Sequence, residues 1–117
     1  MVSARWWYFP LVLAVLLMGT GAVWLCGADV VLSEFMADND STIVDGDGNA
    51  SDWIEIHNTS SSEVDLTGWY LTDDASNLRQ WQFPSTSIPG GGFLVVFASG
   101  KEVDDYVDSL GYLHPNF

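Results

Sequence analysis

Asp45, Asp47, Asn49 and Asp52 fall within eight positions of the stretch DGDGNASDWIEI, residues 45–56. Such spacing gathers carboxylate and amide oxygens on one short turn, and a hard cation such as calcium needs roughly six to eight oxygens held this way. These four residues are therefore the candidate metal ligands, and calcium is the candidate cofactor. Asp38 and Asp40 could add oxygens if the preceding loop folds back beside Asp52. The helix–loop–helix calcium template itself fails. Counted from Asp45, its glycine position holds Ala50, its closing glutamate position holds Ile56, and a strand pattern follows where a helix belongs. The competing reading is a solvated, glycine-bearing turn between strands, where Asp and Asn are favoured for their turn geometry.

The other reactive side chains offer less. Glu34 and Glu55 form a carboxylate pair of the kind that general acid–base hydrolysis uses, but solvent-facing strand positions carry acids without any catalytic role. His57 and His114, the two histidines, are too far apart in sequence to suggest a shared metal. No serine elbow, phosphate loop or zinc signature occurs; Gly90, Gly91 and Gly92 precede a strand and read as a turn. The expectation is a chain that is not itself an enzyme. Asn39, Asn49 and Asn58 each open a glycosylation acceptor pattern, which chance supplies in so Asn-, Ser- and Thr-rich a stretch. Trp53, Trp69 and Trp81 could form an aromatic platform for a sugar, although core packing is the usual fate of large aromatics in alternating strands.

Composition narrows the setting. Of 117 residues, 48% are hydrophobic and 14% aromatic, enough for one small domain with a packed core. Trp6 to Ala28 carries no charge and follows Arg5, the pattern of a secretory signal peptide with a cut before Asp29. Its uncharged run of 23 residues would also span a bilayer as a retained anchor, the only membrane contact foreseen. Both readings export Asp29 onward, so residues 1–28 are a leader or anchor and residues 29–117 the secreted or cell-surface domain. Leu25 stands where a lipidation signal at Cys26 would want a small residue. Because Cys26 is the single cysteine, the exported part has no disulfide, thiol nucleophile or zinc–thiolate site. After Ala28, Arg79 and Lys101 face 16 acidic residues, a formal charge of −14. That field repels nucleic acid and anionic lipid, which excludes both as partners, and it favours divalent cations.

The elements that must position these residues are strands. VVLSEFM (30–36) and DWIEIHN (52–58) alternate with period two, and strict alternation places Val31, Ser33 and Phe35 on one face of the first. Val64 and Leu66 form a short apolar pair, and Trp69 to Thr72 reads as a further strand. RQWQFP reads as another, and Phe93 to Ala98 as a strand buried on both faces. Five to six short strands without helical periodicity predict an all-β sandwich or barrel. The tail from Lys101 is acidic and weakly patterned.

The ordered blocks VVLSEFMADNDST, DGDGNASDWIEIHN, VDLTGWYLTDD, LRQWQFP, GGGFLVVFASGK and LHPNF closely resemble the lamin tail domain of secreted bacterial proteins, over Val30 to Phe117. The resemblance implies an immunoglobulin-like β-sandwich used as a noncatalytic binding or structural module, for adhesion or scaffolding, with a protein or polysaccharide surface as partner. The alternative it implies is an accessory module of a larger extracellular enzyme, kinase-like or a nuclease or phosphatase, whose catalytic domain lies downstream. Nothing here has the heptads of a lamin rod, so a filament role does not transfer. The exported 89 residues are fewer than the roughly 100 residues and seven strands of such a sandwich. The expectation is therefore an incomplete sandwich whose C-terminal strands are missing, at the front of a longer protein.

Overall fold

Alternation in two seven-residue stretches creates the scaffold. β1 (Val30–Met36) and β2 (Asp52–Asn58) pair antiparallel, and β7 (Phe93–Ala98) pairs antiparallel on the far side of β2, giving a three-stranded sheet in the order β1-β2-β7. In the computed structural model the described residues are 29–103 and 105–117; the leader expected over 1–28 lies outside them. Two small antiparallel ribbons face this sheet. One joins β3 (Val64–Asp65) to β6 (Ser87–Ile88), and the other joins β4 (Tyr70–Leu71) to β5 (Trp81–Gln82). The described residues are all-β and hold no helix.

The core lies between the sheet and the ribbons. Ile56, Leu66, Trp81, Phe83, Ile88, Val96 and Leu113 are buried together, with Ile54, Val64, Leu71 and Leu94 packed at their margin. Burial of each large apolar side chain stabilises the fold by roughly 1.5–3 kcal/mol relative to exposure. Trp81 and Phe83 meet edge to face at 4.7 Å, the favourable arrangement for aromatic quadrupoles. Val96 and Phe97 are both fully buried, but the run expected to be covered on both faces begins at Phe93, which is 57% exposed.

Buried Asn58 locks the sheet to the ribbons. Its amide nitrogen donates to the carbonyls of Ser62, Ile88 and Pro89 at 2.7, 2.9 and 3.1 Å, and its Oδ1 accepts from the Ser60 amide at 3.0 Å. Backbones approach so closely here that a Cβ on Gly90 would collide with the Ser61 carbonyl, which is why glycine stands there.

Three features depart from the sequence expectation. First, the β1 register shifts between Leu32 and Glu34, a bulge that leaves Ser33 as the extra residue. Leu32 then stands opposite Ile56, and Phe35 opposite Ile54. The bulge therefore moves Phe35 onto the isoleucine face, which strict alternation denied it. Second, β6 has no counterpart in the predicted strands, and the strand predicted from Trp69 to Thr72 forms only at Tyr70–Leu71. Third, the weakly patterned tail is packed. Leu113 bridges Val96 in parallel, its carbonyl accepts from the Phe97 amide at 2.9 Å, and Leu113, His114 and Pro115 are buried.

Candidate functional site

The acidic loop is built as a turn around one buried carboxylate. Asp45 is 2% exposed; its Oδ1 accepts from the amides of Asp47 and Asn49 at 3.0 and 2.8 Å, and its Oδ2 from the Ser51 hydroxyl at 3.2 Å. Gly48 closes the turn with φ 84°, a conformation that favours glycine. The other carboxylates reach elsewhere. Asp47 binds Lys101 Nζ at 2.9 Å and the Tyr106 hydroxyl at 2.8 Å, and Asp52 Oδ1 accepts from the Asn39 amide at 2.9 Å. The hydrogen bonds from Lys101 and Tyr106 hold the Asp47 carboxyl below the usual range, and the pairing raises the Lys101 ammonium in return. Asn49 contributes its backbone to the turn. The three carboxylates thus serve three separate sets of protein donors, and among the described residues no group of three or more His, Cys, Asp or Glu side chains is arranged to hold a metal.

The same turn recurs three times. Asp65, Asp74 and Asp108 each accept, through Oδ1, the amide two residues ahead (Thr67, Ser76 and Leu110) at 2.8 Å, as Asp45 does for Asp47. Gly68 and Gly111, like Gly48, follow their aspartate by three positions with positive φ. Much of the acidity concentrated in loops is therefore turn chemistry: each carboxylate caps its own backbone.

Asp108 does more, and sequence reasoning missed it. Its side chain is fully buried and hydrogen-bonded to the equally buried His114, Nε2 to Oδ2 at 3.1 Å. Oδ2 also accepts from the Gly46 amide at 2.6 Å, and Oδ1 from the amides of Leu110 and Tyr112 at 2.8 and 3.0 Å. Burial pushes this carboxyl up, but the Gly46 amide, His114 and the Tyr112 and Leu110 amides outweigh it and bring it to about 2. The other ring nitrogen of His114, Nδ1, is hydrogen-bonded to the Ser99 hydroxyl, 2.7 Å away. Ser99, His114 and Asp108 have the order of a nucleophilic relay. The ring, however, is 0% exposed and packed against Phe97 and Tyr106, so a substrate has no approach to the base. The relay ties the acidic loop, through Gly46, to β7 and the tail. The one legible sign of it was DSLG, which repeats the spacing of DLTG and DGDG.

The remaining predicted residues are scattered. Glu34 stands directly across from Glu55, which accepts from Ser33 Oγ at 2.8 Å. His57 stacks on Phe93 at 4.1 Å. Trp53 and Trp81 are buried and Trp69 is half exposed, so the three tryptophans form no common platform. The amides of Asn39 and Asn58 are buried and bonded to backbone carbonyls, leaving neither nitrogen open to glycosylation in the folded chain.

At the opposite side from the buried relay the core is open. β1 ends the sheet, and Leu32 and Phe35 on its isoleucine face are 61% and 71% exposed. Two apolar clefts run beside it. One of about 250 Å³ lies among Val30, Leu32, Ile56, Trp69, Leu71 and Phe83; one of about 310 Å³ lies among Phe35, Trp53, Ile54, Ala98 and Phe117. Trp53 Nε1 is the one buried side-chain polar atom without a partner among the described residues.

A three-stranded sheet facing two short ribbons across a shared apolar core defines a small immunoglobulin-like β-sandwich module. A sequence model of the lamin tail domain matches residues 27–114, and the chain belongs to that family. Neither the curated proteins nor the solved structures gave a match.

Proposed function

We propose that this chain is a binding or structural module of an exported protein, working through the open face of β1. The observation that carries this reading is the contrast in exposure: Leu32 and Phe35 lie on the core side of the sheet, opposite the half-buried Ile54 and the buried Ile56, yet face solvent. An edge strand with unpaired backbone groups and an apolar face takes an added extended strand, by main-chain hydrogen bonding with side chains entering the neighbouring clefts. The role is adhesion or scaffolding, and an extended strand of a partner protein is the natural occupant. As an accessory module of a larger extracellular enzyme the chain would use the same surface.

The test is a pair of charged substitutions, Leu32→Asp and Phe35→Asp, in the full chain. Both side chains are exposed, so thermal unfolding should change little, whereas binding of the hydrophobic dye bis-ANS and self-association in sedimentation velocity should fall. Unchanged dye binding and association in the double variant would remove β1 as the working surface.

A further inference from the structure

A third cleft differs from the apolar pair in its chemistry. It has about 480 Å³ on the outer side of the β4–β5 ribbon and is lined by Tyr70, Arg79, Gln80, Gln82, Asp105 and Asn116, with Trp81 behind them. Its size falls within the range of small-molecule sites. Tyr70 and Gln82 are cross-strand partners, so the ribbon presents them side by side, while their neighbours Leu71 and Trp81 turn inward. Arg79 lies over the Tyr70 ring, its Cζ 5.8 Å from the centroid.

Several aspartates and asparagines elsewhere are bonded to backbone groups, as at Asp45, Asn58, Asp65 and Asp108. In the cleft, the Arg79 guanidinium, the Gln82 amide and the Asp105 carboxylate make no side-chain hydrogen bond among the described residues, and Arg79 has no ion pair there. Three planar groups, offering paired donors and paired acceptors, converge beside an aromatic ring that is 41% exposed.

We propose that this cleft binds a neutral saccharide. Adjacent hydroxyls of a sugar both donate and accept, which matches a guanidinium, an amide and a carboxylate set together, and the Tyr70 ring supplies the apolar contact for the sugar's C–H face. Charge excludes the main rival. Arg79 and Asp105 cancel locally, and a carboxylate ligand would have to enter against the −14 field of the domain. This assignment rests on the binding-module reading but uses a different surface from β1.

The experiment is calorimetric titration of the full chain, in a zwitterionic detergent, with cellohexaose, xylohexaose, mannohexaose, chitohexaose and, as the anionic rival, trigalacturonic acid. At least one neutral oligosaccharide should bind with Kd below about 1 mM, and Tyr70→Ala and Arg79→Ala should each weaken it by about tenfold or more without shifting the unfolding midpoint. Leu32→Asp should leave it unchanged. The proposal is overturned if no neutral oligosaccharide binds at that level, if binding survives both cleft substitutions, or if trigalacturonic acid is preferred. A chain that ignores every sugar yet loses association on Leu32→Asp refutes the cleft alone; one that binds sugar and is indifferent to Leu32→Asp refutes the β1 surface alone.

Discussion

The two ends of the β1-β2-β7 sheet solve opposite problems. Beside β7, a polar network is closed: Asp108, His114, Ser99 and the Gly46 amide satisfy one another, with the Asp108 and His114 side chains wholly buried. Beside β1, an apolar face is left open, with Phe35 71% exposed across from Ile54. Buried polar groups are tolerable only when fully paired, so the closed end demands one geometry and any missing member is felt at once. An exposed apolar side chain contributes little to the isolated fold and gains its energy only when something covers it. The first end holds the module's shape; the second is available for contact.

The largest test of this contrast is Asp108→Ala. It strands His114 and three backbone amides in a dry site and should destabilise the chain by about 3–5 kcal/mol in denaturant unfolding. A loss comparable to that of an exposed position would mean the network is not closed. Gly46→Ala comes next, because its Cβ would fall 2.5 Å from the Asp108 carboxyl carbon and must displace that side chain; about 1–3 kcal/mol is expected from the overpacking.

The acid limb of stability gives a subtler reading. Asp108 has a folded pKa of about 2 against an ordinary 3.8, so its stabilisation is present above the ordinary value and is lost as pH falls from about 4 toward 2. Asp108→Asn should flatten that limb relative to the unmodified chain, the difference between the two curves cancelling the shared titration of Asp47, Asp65 and Asp74, whose carboxyls are also held low. Parallel curves would show that Asp108 is not the buried carboxylate that matters.

The smallest effect concerns the proposed cation. Asp45, Asp47 and Asp52 already accept from protein donors, and calcium at Asp47 would have to displace Lys101. Millimolar calcium is therefore expected to leave the unfolding midpoint where it is, and Lys101→Ala to open that position; a clear upward shift with calcium would establish the loop as a cation site.

Strand existence was legible because period-two alternation in VVLSEFM and DWIEIHN and the apolar run FLVVFA follow from local physics. The bulge was not, since the identity of Ser33 does not reveal which partner residue it skips; pairing with Glu55 decides that. The acidic loop could be recognised as a turn from Asp and Gly alone, yet its attachment to residue 108 spans 62 positions and leaves no mark on either stretch.

The sequence by itself determined an all-β domain after Ala28, its acidic surface, the absence of a thiol there and the resemblance to lamin tail domains, because these depend on residue type, period and order. Only the tertiary structure decided that His114 meets Asp108 in the dry interior, that Phe35 shares a face with Ile54, and that Tyr70, Arg79 and Gln82 border one cleft. Those facts are set by register and by contacts between distant segments, where the free energy depends on three-dimensional proximity and on the exclusion of water, which no local pattern encodes.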